Sequence, residues 1–210
     1  MEPATNGLGK KLANTWYYHK TKIIAIFIVV IAITIVNLAF KSNKPKPDVT
    51  VLLWGQYKVS DEILANFNKD FADSIKDINN DGKKFIELLP TVLNSPMEAN
   101  LTLAGGGAQV VILGYDNFKM YAPKDMFCPL DDYVKNSSFD ITSHPEVKMA
   151  TVSDKTEHIY GIPLEGNKTL KSLGLDLKGI YVAIEGADDG EGGKMINNGY
   201  AMLEKMLSDK

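Results

Sequence analysis

AQVVILGYD, residues 108–116, reads as a strand that runs directly into aromatic and polar residues. Val110 to Leu113 are apolar at every position, the pattern of a strand buried on both faces rather than one with a wet side. Upstream, Gly105 to Gly107 stop a helix that Pro96 opens and that carries Met97, Leu101 and Leu103. KKFIELLP (83–90) is an earlier strand. Before it, Ser60 or Asp61 caps a helix expected to run to about Ile78, with Ile63, Leu64, Phe67, Phe71 and Ile75 on one face. DVTVLLW (48–54) is the first strand and is apolar like the third. Downstream come a short helix near 118–122, the turn CPLDDYV (128–134), a polar loop, and the strands HIYGIPL (158–164) and GIYVAIEG (179–186). The glycine-rich ADDGEGGK (187–194) reads as a mobile loop whose acids could contact a cation. NNGYAMLEKML (197–207) is an amphipathic helix with Tyr200, Leu203 and Leu207 on one side. Apolar strands separated by helices predict an α/β domain, a mostly parallel sheet with helices on both faces and right-handed crossovers.

Residues 23–40, IIAIFIVVIAITIVNLAF, form an uncharged run of ~27 Å as a helix, close to the hydrocarbon thickness of a bilayer. The expectation is an uncleaved transmembrane helix with membrane as a partner. Lys10, Lys11, Lys20 and Lys22 precede it and Trp16, Tyr17 and Tyr18 suit the interface, which favours a cytoplasmic N-terminus. The chain divides accordingly into a tail (1–22), the span (23–40), a stiff proline-bearing stalk KSNKPKP (41–47) and an extracytoplasmic domain (48–210). Residues 1–47 carry seven lysines and one acid, net +6, whereas 48–210 carry sixteen lysines and twenty-five acids, net −9. An acidic body argues against nucleic acid as a partner. Every basic residue apart from histidine is lysine. The two-pronged guanidinium grip on carboxylate or phosphate is therefore missing.

The order of elements resembles the first lobe of the extracellular solute-binding proteins of sugar-import ABC transporters, the maltose-binding type. TVLLWGQY (50–57), the stretch 101–134, EHIYGIPLEG (157–166) and YVAIEG (181–186) with its terminal helix carry the likeness. Within 101–134, Asp116, Phe118, Pro129, Leu130, Asp131 and Asp132 match the family pattern, and Gln109 stands where the family usually has an aspartate. The resemblance implies a periplasmic-binding-protein fold, of which 48–210 would supply one lobe, and a carbohydrate-like solute gripped by aromatics, carboxylates and amides. It also implies that Trp54, Asp116 and Glu165 lie where the family touches sugar. One lobe covers one side of a ligand, so a transporter or envelope protein would complete the site.

Open α/β sheets bind ligands beyond the carboxyl ends of their strands. Those ends place Trp54, Gln56, Tyr57, Asp116, Asn117, Glu165 and Asn167 as the candidate solute face. Trp54 equally suits core packing, and Asp116 with Asn117 equally suits a helix cap. An enzyme is not expected. Asp131 and Asp132 sit in a turn suited to capping, and His19, His144 and His158 lack metal-ligand spacing. There is no Gly-x-Ser-x-Gly elbow, and Cys128 has no partner cysteine. Asp77, Asn79, Asp81 and Gly82 reproduce the first half of a calcium loop, but Leu88 stands where the closing glutamate belongs. Two readings follow, a structural calcium on Asp77, Asn79 and Asp81 with no other cofactor required, or a polar turn with Gly82 at positive φ. A second functional class stays open as well, a structural or regulatory interaction domain that has lost its solute.

Overall fold

The structure, a computed structural model, describes residues 7–42, 45–137, 139–186 and 193–209; residues 187–192 of the glycine-rich stretch lie outside the described residues. It divides into two compact units, residues 1–45 and 46–210. The first is a single helix, α1 (Gly7–Ser42). Its segment Trp16–Val36 is long and apolar enough to cross a membrane by length and composition. Thr34 donates its hydroxyl to the carbonyl of Val30 at 2.8 Å, so the apolar stretch carries no unpaired hydroxyl there. Lys41 and Ser42, read from the sequence as the start of the stalk, belong to this helix.

The second unit runs β1 (Val49–Trp54), α2 (Asp61–Phe71), β2 (Ile86–Thr91), α3 (Pro96–Ala104), β3 (Val110–Gly114), α4 (Tyr115–Tyr121), α5 (Asp131–Lys135), β4 (Lys148–Met149), β5 (His158–Ile159), β6 (Ile162–Pro163), α6 (Lys168–Ser172), β7 (Ile180–Ile184) and α7 (Lys194–Ser208). Five strands form one sheet in the order β2-β1-β3-β7-β6, and β4 pairs with β5 beside it. Strands β1, β2 and β3 are parallel, β7 runs against β3, and β6 runs against β7, so four of the five point one way. This is the mixed α/β domain with a mostly parallel sheet that the apolar runs predict. All six residues of β1 are buried, which requires cover on both faces. Helix α7 supplies part of it through Met202, Leu203, Met206 and Leu207. A Cβ on Gly199 would stand 3.3 Å from Gln109 Cβ and Val110 Cγ2, so glycine lets α7 approach β3 closely.

Three elements differ from the reading of the sequence. Helix α2 starts on the expected cap, with Ser60 Oγ accepting from Ile63 N, but its α-helical part ends at Phe71 and a 3-10 turn, Ala72–Ser74, follows. HIYGIPL is split between β5 and β6. The acids of Pro-Leu-Asp-Asp do not cap α5 through their side chains; Asp131 Oδ2 faces His158 Nδ1 at 3.0 Å and Asp132 pairs with Lys135.

The exposed edge of β2 is blunted by two devices. Phe85 and Thr91 present their carbonyls to β1, so residues 86, 88 and 90 present theirs outward. Asn68 closes position 86, accepting from Ile86 N at 2.8 Å and donating to Ile86 O at 2.9 Å, while Pro90 has no N–H to offer. Asn68→Leu should lower stability by about 1–3 kcal/mol, since it leaves both backbone groups without their partner. The urea midpoint would fall at unchanged slope. An unchanged midpoint would show that solvent already serves that edge.

Candidate functional site

The carboxyl ends of β1, β3 and β6 and the amino end of the antiparallel β7 all lie at one end of the sheet. After β1, Trp54 turns inward: it is buried, and its ring packs on Tyr121 with centroids 5.3 Å apart. The chain doubles back at Gly55, where a Cβ would stand 2.4 Å from the ring of Tyr57. Gln56 is exposed and Tyr57 half-buried. Burial, with Asp176 nearby, pushes the Tyr57 phenol above its usual range. After β3, Asp116 and Asn117 fall in the first turn of α4, with Asp116 exposed at the end that favours an acid. After β6, Glu165 is exposed.

Asn167 is corrected from solute contact to fold-holding residue. It is fully buried, its Oδ1 accepts from Leu170 N at 2.8 Å as the cap of α6, and its Nδ2 donates to Met206 O at 2.7 Å. An amide with both ends bonded inside the fold has nothing to present to a solute.

Four residues missed by the strand-end reading sit among these groups. Tyr115 and Tyr181 have ring centroids 5.5 Å apart, and Tyr181 stacks on Phe118 at 5.1 Å with planes 1° apart. The Tyr181 hydroxyl donates to Glu146 Oε1 at 3.1 Å, and His144 Nδ1 meets the same oxygen at 3.0 Å. Burial, then the bond to Glu146, raises the Tyr181 phenol far above its ordinary value, with Glu165 and Tyr115 adding to it. For Glu146, burial pushes upward, yet its backbone, His144 and Tyr181 hydrogen bonds outweigh it and hold the carboxyl low. The signal for Tyr115 was present in GYD, immediately before Asp116. Tyr181 opens an antiparallel strand, so a search confined to carboxyl ends passes over it. At this end of the sheet stand Gln56, Tyr57, Tyr115, Asp116 and Glu165, with Tyr115 in ring contact with the buried Tyr181 and Glu165 near its phenol.

The calcium-like turn lies at the opposite end of the sheet, before β2. Its oxygens serve the backbone: Asp77 Oδ2 accepts from Gly82 N, Asn79 Oδ1 from Asp81 N and Asp81 Oδ1 from Lys83 N, each at 2.9 Å. Asn80 and Gly82 take positive φ of 56° and 79°. Asp77 Oδ1 is buried and meets no hydrogen-bond partner among the described residues. Among those residues no three His, Cys, Asp or Glu side chains are grouped to hold a metal.

No protein-family model matches the chain, and no curated protein matches it significantly. Among solved structures the chain is similar to the ABC substrate-binding protein Lmo0181 from Listeria monocytogenes, determined in complex with cycloalternan, at 19% identity and a TM-score of 0.35. The match covers 56% of this chain and 29% of that one, so the chain spans less than a third of the protein it matches.

Proposed function

We propose that residues 46–210 are a non-catalytic binding module, held at a membrane by α1 with its N-terminus cytoplasmic, that receives a carbohydrate-like solute on the carboxyl end of the sheet. The observation that carries this is that Gln56, Tyr57, Tyr115, Asp116 and Glu165 all follow strands at one end of the sheet, with Tyr115 backed by the buried Tyr181 and Glu165 near the Tyr181 phenol. Aromatic rings cover the apolar faces of a sugar, while carboxylate and amide oxygens accept its hydroxyls. A single face leaves half the solute in water, and a transporter or envelope partner docking on the same face would enclose the rest. Any calcium at the 77–82 turn is structural in this reading, being at the far end of the sheet. The second reading, an interaction domain without a solute, is favoured by the inward packing of Trp54 and by the bonded amide of Asn167.

The test is the melting temperature of the full chain in detergent against a panel of oligosaccharides and other solutes, with and without calcium. A solute binding only the folded state at 100 times its dissociation constant adds ~2.7 kcal/mol. The expected shift appears with one solute class and disappears in Asp116→Ala and Glu165→Ala. A flat panel over a cooperative melt would remove the solute and leave the partner-binding reading. A rise with calcium alone, lost in Asp81→Ala, would place the ion in the turn.

A further inference from the structure

Glu185 lies away from the solute face, just beyond β7, and is 2% exposed. Four segments meet around it. Its N–H donates to Gln109 O at 3.0 Å, its C=O accepts from Cys128 Sγ at 3.6 Å, and it forms a β-bridge with Phe127. Its Oε2 accepts from Ala108 N at 3.0 Å, in the turn after α3. Its Oε1 is buried and meets no hydrogen-bond partner among the described residues. A carboxylate placed so has lost its water and gained no cation in return, since none of the ion pairs among the described residues includes it.

The surroundings hold little that could offset the charge. The 105–109 turn contributes the N–H groups of Gly106 and Ala108 but no cation, and Gln109 has its Oε1 already on Thr50 N. The 126–128 segment contributes the Cys128 thiol, with the Tyr200 hydroxyl of α7 beside it and Tyr133 of α5 stacked on Tyr200 at 4.4 Å. Asp125, just before that segment, turns its carboxylate to Ser153. Burial pushes the Glu185 carboxyl up to about 8, with the N–H groups of Ala108 and Gly106 pulling the other way.

We propose that Glu185 is a proton-operated latch: uncharged, its side chain stays buried with Oε2 on Ala108 N where the 105–109 turn, the end of β7 and residues 126–128 meet, and loss of the proton places an unpaired charge there that opens this junction. The folded state keeps the proton where the unfolded chain, with an ordinary glutamate, has released it. The unfolded state then binds fewer protons, so stability falls as pH rises. The contribution is complete below the ordinary glutamate range near 4.5 and is gone above about 8.

The full chain in detergent and its Glu185→Gln variant are compared by denaturant unfolding from about pH 5 to 9. One proton of difference predicts a fall of up to about tenfold in the wild-type folding constant per pH unit inside the window, absent from the variant. Amide exchange at Ala108 and Cys128, corrected for its intrinsic pH dependence, should rise across the same window in the wild type alone. Parallel pH profiles, or exchange at those amides that does not differ, would overturn the latch. If the variant does not fold, infrared spectra of the wild type decide: a protonated-carboxyl band at neutral pH that vanishes above the window supports it, and no such band at neutral pH refutes it.

Discussion

Asp48→Ala is expected to lower the stability of the outer domain by about 3–5 kcal/mol, because it removes a fully buried carboxylate that accepts from two part-buried backbone donors at once. Asp48 is fully buried just before β1, with Oδ1 accepting from Ile78 N at 2.8 Å and Oδ2 from Phe85 N at 2.9 Å. One carboxylate thus closes both ends of the segment between α2 and β2, including the calcium-like turn. Asn198 adds a second tie from α7: its Oδ1 accepts from Lys76 N at 2.9 Å, and its Nδ2 donates to Asp48 O at 3.0 Å and Lys76 O at 2.8 Å. Asp48→Asn should recover little, since the new amide turns a donor toward a donor. Asn198→Ala should be non-additive with Asp48→Ala, as both loosen the same backbone. Equilibrium unfolding of the two single variants and the double variant measures this. A loss under about 1 kcal/mol for Asp48→Ala would mean that the turn stands without the carboxylate.

These ties explain why the end of α2 could not be read in advance. Ile75 fits the helical spacing of Ile63, Leu64, Phe67 and Phe71 and is buried as expected. Yet the backbone beyond it is claimed by partners far away in the chain, Lys76 N by Asn198 and Ile78 N by Asp48. Spacing cannot show such long-range competitors. Local signals were reliable where local chemistry decides: Ser60 caps α2, Pro96 opens α3 and Gly105 follows its last residue. The apolar runs of β1, β2, β3 and β7 gave strands, but IYVAI is equally apolar read in either direction, so the reversed course of β7 was not written in it. That reversal carries Tyr181 to the candidate face. Of the residues at that sheet end, Gln56, Tyr57, Asp116 and Glu165 are named from the sequence, whereas Tyr181 depends on a pairing across the sheet and Glu146 reaches it from a 3-10 turn distant in the chain.

Phe118→Ala should cost about 3–5 kcal/mol and also loosen the candidate face, because this ring joins the core to Tyr181. Phe118 is fully buried, stacked on Tyr181 at 5.1 Å on one side and facing Phe127 at 6.3 Å with planes 13° apart. Gly161 lies against it: a Cβ there would stand 2.5 Å from Phe118 Cε2 and 2.9 Å from Cζ. Contacts under 3.0 Å force a shift, and a buried ring held by two aromatic neighbours cannot make it without moving them. Gly161→Ala is therefore an overpacking change of about 1–3 kcal/mol. Displacement of the ring would also pull Tyr181 from Glu146, whose oxygen holds the phenol and His144 together. Phe118→Leu opens the space that an alanine at 161 needs, so the pair Phe118→Leu and Gly161→Ala should be less destabilised than the sum of its single variants. A double-mutant cycle on unfolding free energies reads this coupling. Strict additivity would show that the glycine answers to something other than this ring, and would break the link drawn between the packed aromatic stack and the face where the solute is proposed to bind.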